Sequence, residues 1–276
     1  MLMGTAVDKY RHLVRKNDPI VYNGLTFSPL KVEQIALYQS AKPSFELMQS
    51  SLPPKMATLS WCECLDALDR QGMEEGKTTV FLASVLVVIA VVTGLPRIAD
   101  ADGNENYPLR EVRKNDGTLL SFIIGDLNNP TIISMQDMDT IRKIIAAQNL
   151  YEIPDESWNP DLVRARKYLA ARSQLNIEYD IDALVHSVAL NAHVKPDEIW
   201  DWTIRDFILT QDAIDRTLNY QIFMTAEHSG FVKFKKGNPY PSWKFDRKMD
   251  MPSEFKTIEE YDAESKGLLG VTEKEI

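Results

Sequence analysis

Residues 78–95, TTVFLASVLVVIAVVTGL, form the most hydrophobic stretch of the chain and carry no charge across 18 positions. As an α-helix this stretch would be about 27 Å long, the lower end of the length that crosses a bilayer. It lacks the aromatic belt and the Lys/Arg asymmetry that usually flank a membrane span. Charged residues precede it, and Gly94 and Pro96 end it, as is typical of a core helix. The sequence therefore predicts a buried central helix, with a membrane-associated segment as the alternative.

The composition is that of an ordinary soluble globular protein. Its 276 residues are 44% hydrophobic and 26% charged, with a net charge of −9 and a pI near 5.1. Binding to phosphate backbones needs clustered Lys and Arg, so nucleic acid is not the expected partner. The two cysteines, Cys62 and Cys64, are too close together for a secreted disulfide framework, and residues 1–18 lack the apolar core of a secretory signal. We expect a cytoplasmic protein.

The N-terminal region, 1–95, is expected to be helical around the buried central helix. Ser28 and Pro29 make a good helix entry, which predicts a first helix over 29–41. A short helix is expected over 44–50. After the Pro-Pro break, apolar residues at helical spacing predict a second long helix over 56–72.

Three further regions follow: a β-hairpin region (96–134), a helical bundle (135–228) and an extended C-terminal arm (229–276). The hairpin is predicted from Asn115-Asp116-Gly117 between two extended runs. Ser134 and Asp137 predict a capping-box start for the bundle, whose later helices are expected at 160–173, 180–193 and 196–226. The arm is too poor in aliphatic residues to form its own core, so we expect it to lie on the body or on a partner. The fold class is mainly α (α+β).

No stretch has the spacing of a catalytic, cofactor or metal site. Residues 72–78, GMEEGKT, are one residue short of a phosphate-binding loop and put two carboxylates where phosphates would lie. Residues 100–105 fail the calcium-loop pattern at both anchoring positions. The two cysteines point to different helix faces, and His186 and His193 lack a third ligand. We therefore expect a non-enzymatic protein with no cofactor.

Residues 184–207 have the outline of a DNA-reading helix-turn-helix. The second helix carries four carboxylates against one arginine, and this acidic face argues against DNA. Trp200, Ile204 and Phe207 recur there at helical spacing. They are interpreted as core residues or as a protein-binding stripe.

The arm from 231 to 248 combines six Lys/Arg and one Asp with five aromatic residues, Phe231, Phe234, Tyr240, Trp243 and Phe245. Such a mix stacks single-stranded bases in some proteins. It also suits an extended segment that docks on an acidic surface, and Pro239 and Pro241 favour that conformation. Docking is the favoured interpretation, and binding of single-stranded nucleic acid is the alternative.

Three stretches resemble a family from the tail-morphogenesis region of phages and prophages of Gram-positive bacteria. They are YNGLTFSPLKVEQIALYQSAKPSFELMQSSLPPKMATLSW (22–61), PDEIWDWTIRDF (196–207) and GNPYPSWKFDR (237–247). The resemblance implies a tail assembly chaperone, or a related morphogenesis protein, in the cytoplasm of the bacterial host. Such a protein coats the tape-measure protein until tail-tube subunits displace it.

The resemblance also indicates where a client or a second copy would bind. The expected protein-binding residues lie in the tryptophan-bearing helix and in the arm: Trp200, Trp202, Ile204, Phe207, Phe234, Tyr240, Trp243 and Phe245. A long, aggregation-prone client is best held by apolar helical stripes that many copies present together.

Overall fold

The computed structural model describes residues 9–99, 105–125, 130–157, 159–161, 163, 165, 180–230, 234, 238–240 and 242–244. Contacts divide the chain into two compact units, Met1–Gln211 and Asp212–Ile276. Mainly helical structure with several small antiparallel sheets confirms the predicted α+β class.

The described helices are α1 (Arg11–Lys16), α2 (Ile35–Phe45), α3 (Pro54–Ala57), α4 (Trp61–Glu74), α5 (Phe81–Val92), α6 (Met135–Asn149), α7 (Ile181–Ala192), α8 (Pro196–Ile199) and α9 (Ile204–His228). The described strands are β1 (Ile20–Tyr22), β2 (Leu25–Phe27), β3 (Ile98–Ala99), β4 (Glu105–Asn106), β5 (Leu109–Arg113), β6 (Leu119–Ile124) and β7 (Thr131–Ser134). They pair in antiparallel fashion as β1-β2, β3-β4 and β5-β6-β7.

Helix α5 is the predicted central helix, which the structure confirms as buried. It packs against α2 and α4, and its buried side chains include Leu82, Val85, Val88 and Ile89. The Ser44 hydroxyl of α2 lies 3.0 Å from the Phe81 carbonyl oxygen, to which it donates a hydrogen bond. Within the described part of the chain, no helix combines the length and the apolar character needed to cross a membrane.

The N-terminus of α5 is capped from the neighbouring helix α4. The Asp69 carboxylate accepts hydrogen bonds from the backbone N–H groups of Phe81 (2.8 Å) and Leu82 (2.9 Å). Helix N-termini leave such groups without intrahelical partners, and a carboxylate there also complements the helix dipole. Asp69 thereby joins α4 to the start of the central helix.

An aromatic cluster lies at the C-terminal end of α2. The Phe45 and Tyr151 rings stack with centroids 4.4 Å apart, and Trp61 lies 5.6 Å from Phe45. The Arg142 guanidinium sits 4.7 Å from the Trp61 ring and donates to the carbonyl oxygens of Phe45 and Leu47. Burial lowers the pKa of Arg142 to about 10. This arginine binds the C-terminal end of α2 to α6.

The expected helix over 29–41 is wrong at its start, because tertiary hydrogen bonds hold residues 28–30 outside any helix. Ser28 N donates to the Val92 carbonyl oxygen (2.8 Å) and Leu30 N to Asn149 Oδ1 (2.7 Å). Helix α2 begins only at Ile35 and continues to Phe45, past Pro43. The separate helix expected over 44–50 is therefore wrong, and a short 3-10 turn at Gln49–Ser51 follows instead.

The helix expected over 56–72 is also divided, into α3 and α4. Helix α4 restarts at a capping box in which Ser60 and Glu63 exchange side-chain and backbone hydrogen bonds. Its end at Glu74 lies close to the predicted one.

The predicted hairpin at 115–117 is confirmed, and three further pieces of sheet, β7, β1-β2 and β3-β4, were not predicted. β5 and β6 pair across the turn, where Gly117 has a φ of +84°. β7 adds a third strand to β6. The unpredicted β1-β2 hairpin turns at Asn23-Gly24, whose φ angles of 51° and 77° are those that an Asn-Gly hairpin turn requires.

The capping box of Ser134 and Asp137 is confirmed at the start of α6, and α7 confirms the helix expected over 180–193. The helix expected over 196–226 is confirmed over most of its length but is interrupted at 200–203. The chain forms α8, leaves the helix at Trp200–Thr203 and re-enters it as α9, because Lys31 and Thr203 form a β-bridge there. Most of the helix expected over 160–173 lies outside the described residues.

Candidate protein-binding site

The described side chains do not assemble a metal or nucleophilic site. No three His, Cys, Asp or Glu residues among those described come together as metal ligands. Cys62 and Cys64 are buried, and desolvation raises the pKa of both thiols, which keeps them protonated. The loop tested against the calcium pattern, 100–105, lies outside the described residues except for Glu105.

The tryptophan-bearing segment of the first unit forms backbone hydrogen bonds with residues 30–33. The Trp202 carbonyl oxygen accepts from Val32 N (2.9 Å), the Trp200 carbonyl oxygen from Glu33 N (3.1 Å), and Ile204 N donates to the Leu30 carbonyl oxygen (2.9 Å). These backbone hydrogen bonds join the start of α9 to the segment before α2. Both tryptophan side chains are half-buried.

Ile204 and Phe207 are buried in the first unit. Of the two interpretations given for them, core residue or protein-binding stripe, the structure places both in the core, where a client does not reach them. Next to them, Arg205 donates to the Ala147 carbonyl oxygen at 3.1 Å, and burial lowers its pKa. The first two turns of α9 therefore hold the fold together.

The second unit contains a row of apolar side chains that the sequence reasoning did not single out. Ile214, Leu218 and Ile222 recur every four residues on α9, so they lie along one side of the helix. Leu218 is 44% exposed and Ile222 is 63% exposed, while Ile214 is half-buried. We call these three residues the α9 stripe.

The described part of the arm contacts another side of the same helix. Phe223 lies 5.6 Å from Phe234 and 5.1 Å from Tyr240 between ring centroids. The Asn238 side-chain amide donates to Glu227 Oε2 at 3.0 Å. Phe223 is five residues after Leu218, about 140° around the helix. The described part of the arm therefore docks on its own chain at Phe223, away from the α9 stripe.

The remaining arm residues differ in exposure. Trp243 is 52% exposed, with Lys244 Nζ 5.2 Å from its ring centroid. Phe234 and Tyr240 are half-buried, consistent with their contacts to Phe223. Phe245 lies outside the described residues. The structure thus brings two of the four expected arm residues together on α9.

The border of the α9 stripe contains one acidic residue, Asp215, and otherwise neutral polar residues. Asp215 is exposed and lies one turn before Leu218 and two turns before Ile222, at the edge of the stripe. Arg216, the one basic residue between 211 and 225, lies about 160° away from Leu218 around the helix. Gln211, Gln221 and Thr225 complete the polar border.

A separate open groove in the first unit has a volume of about 530 Å³. It is lined mainly by α2 and the segment after it, including Pro43, Leu47 and Met48, with Phe81 from α5. Its charged groups, Lys42 and Glu46, are 3.9 Å apart and neutralise each other. The groove brings together no acid, base or nucleophile in a catalytic arrangement.

The sequence did contain a signal for the α9 stripe, namely the spacing of its three aliphatic residues. Ile204 and Phe207, three residues apart on the same helix, also share one side of it but are buried, so helical spacing alone does not separate a core-facing row from an exposed one. No protein-family model, curated protein or solved structure matches the sequence or the fold of this chain.

Proposed function

We propose that this chain is a non-enzymatic phage tail assembly protein, a chaperone that binds the tape-measure protein during tail morphogenesis. The observation that carries the proposal is the α9 stripe. It is a partly exposed apolar row on a long helix whose other side is already occupied by the arm. A surface of this shape suits an amphipathic client helix that lies along α9.

The strength of the contact follows from the exposed area. Full burial of an aliphatic side chain contributes about 1.5–3 kcal/mol. Covering the exposed 44% of Leu218 and 63% of Ile222 therefore contributes roughly 2–3 kcal/mol. This corresponds to about a 30- to 150-fold gain in affinity.

A contact of that size is weak for one copy and strong for many. When several copies bind along one long client, each further copy adds affinity through its effective concentration near the others. A coat of this kind is stable as a whole, yet its members leave one by one. That property suits a chaperone that tail-tube subunits displace.

Co-expression with the tape-measure protein of the same tail gene cluster tests the proposal. We expect the full chain to keep this client soluble and to co-purify with it. The double variant Leu218→Gln/Ile222→Gln should lose co-purification, because the two glutamines remove the apolar surface while keeping a good helix former. Circular dichroism should show nearly unchanged helicity and thermal stability for the variant, since Leu218 and Ile222 are 44% and 63% exposed.

Leu190→Gln is the matched control. Leu190 is a 75% exposed leucine on α7, outside the second unit, so its replacement should leave client recovery unchanged. Equal recovery of the client by the wild-type chain, the double variant and the control would refute the α9 stripe as the binding site. Failure of the wild-type chain to co-purify would refute the chaperone function itself.

Single-stranded nucleic acid is the second candidate ligand, favoured by the exposed Trp243 beside Lys244. Against it, Phe234 and Tyr240 pack on Phe223 and are less free to stack on bases. This function predicts salt-sensitive binding of single strands that is lost when Lys233, Lys235 and Lys236 are changed to Glu. If the chain does not bind single strands at low salt, the nucleic-acid-binding function is eliminated.

A further inference from the structure

We infer that the helix that binds the α9 stripe is basic, with Lys or Arg next to the row of apolar side chains that contacts the stripe. This inference rests on the proposed function. Its basis is the combination of an apolar row and one exposed carboxylate, Asp215, at the edge of that row on α9. The apolar row determines that an amphipathic helix binds. The border determines which charge that helix carries.

Asp215 is the residue whose carboxylate would interact with charged side chains of the partner helix. It is exposed, and helical spacing places it one turn before Leu218 and in nearly the same row as Ile222. A helix packed over Leu218 and Ile222 brings the residues beside its seam close to this carboxylate. A basic residue there gains an ion pair, whereas an acidic one is repelled.

Among the residues of α9 itself, no Lys or Arg lies on the same side as Asp215. Arg216 lies on the far side of the helix from Leu218, and the other residues next to the stripe are neutral, namely Gln211, Gln221 and Thr225. The chain as a whole carries a net charge of −9, which attracts a basic partner over longer distances and repels an acidic one.

These charges also decide against a second copy of the chain as the occupant. Two copies would bring together two acidic surfaces, each on a chain of charge −9. The stripe has three apolar residues, far fewer than the roughly 20–30 residues a side of a stable dimer interface. A basic helix avoids the repulsion, and a long client offers the many sites that a small contact needs.

Three synthetic helical peptides test the inference on the full chain. They share one apolar seam and differ only in the flanking residues, which are Lys, Gln or Glu. Fluorescence anisotropy measures each Kd at about 50 mM and about 500 mM salt, where the Debye length is roughly 14 Å and 4 Å. We expect the Lys peptide to bind about three- to tenfold tighter than the Glu peptide at low salt, and the difference to shrink at high salt.

Charge reversal at Asp215 locates the effect. Asp215→Lys should reverse the order, so that the Glu peptide binds tighter than the Lys peptide. Asp182→Asn is the matched control: Asp182 is an exposed aspartate on α7, in the other unit, and its replacement should leave the order unchanged.

The outcomes separate the two proposals. If all three peptides bind with equal affinity and this binding is lost in Leu218→Gln/Ile222→Gln, the charge preference is overturned. The α9 stripe remains the binding site in that case. A Lys preference that survives Asp215→Lys would also overturn the inference, because another surface would be its source. Absence of binding by any peptide would overturn the inference of a basic partner helix, whereas the chaperone function is decided separately by co-purification of the client. Sedimentation of the chain alone shows whether a dimer forms, and a dimer lost in the double variant would make a second copy the occupant.

Discussion

Replacing Asp69 with alanine tests the contact that starts the central helix. In the folded protein the carboxylate accepts from Phe81 N at 2.8 Å and from Leu82 N at 2.9 Å, and the Asp69 residue is buried. Alanine removes both acceptors without providing others. The two N–H groups at the first turn of α5 then lose their partners in a region that water reaches poorly.

The cost follows from these two groups. Leaving one buried donor unsatisfied costs about 1–3 kcal/mol, and removing a helix N-cap costs about 0.5–2 kcal/mol. Because the two figures describe partly the same loss, we expect Asp69→Ala to lower the free energy of unfolding by about 2–4 kcal/mol. For a protein of this size this lowers Tm by about 5–15 °C.

Urea and thermal unfolding, followed by far-UV circular dichroism, measure the change. Asp69→Asn should be intermediate, since the amide keeps one acceptor oxygen. Glu74→Ala is the matched control, because Glu74 is an exposed carboxylate at the end of the same helix, and it should change stability by less than about 0.5 kcal/mol. If Asp69→Ala were as stable as Glu74→Ala, the capping role assigned to Asp69 would be refuted.

Two further predictions concern pH and the core. Burial alone would raise the pKa of Asp66, but its hydrogen bonds and ion pairs with Arg113 and Arg70 outweigh burial and hold the pKa below the usual 3.8. A depressed folded-state pKa stabilises the protein above the unfolded-state value, so this contribution should be lost as the pH falls through 3.8 and below. Urea titrations of wild type and Asp66→Asn between about pH 6 and pH 2.5 should show a shallower loss for the variant, and identical slopes would contradict the assignment. Phe207→Ala should cost about 3–5 kcal/mol in the same assay, because the ring is buried, and a cost as small as that of the half-exposed Leu209→Ala would mean that Phe207 is not a core residue.

Local sequence signals account for the elements that were predicted correctly. The run at 78–95 is apolar on every side of a helix, so burial of α5 follows from its composition. The hairpin at 115–117 and the capping box at Ser134 depend on residues within a few positions of each other. The hairpin turn at Asn23-Gly24 carried an equally local signal, which the sequence reasoning did not use.

Long-range hydrogen bonds account for two of the differences from the predicted helices, at the start of the first helix and within 196–226. Ser28 and Pro29 have the residue types of a helix start, but Ser28 and Leu30 bond to Val92 and Asn149, which are remote in the sequence. The helical pattern over 196–226 is likewise interrupted at Trp200–Thr203 by pairing with residues 30–33. Local propensity is a weak prior that such tertiary contacts override.

The sequence by itself determined a mainly helical fold, its buried helix and its main hairpin, because composition and short-range pattern are sufficient for those elements. It also predicted protein-binding residues in the segment 196–207 and in the arm. Only the tertiary structure decided which residues of α9 remain accessible. Ile204 and Phe207 are buried in the first unit, whereas Leu218 and Ile222, another helically spaced pair farther along α9, are exposed. Spacing fixes the side of a helix on which a residue lies, but what packs against that side depends on residues distant in sequence.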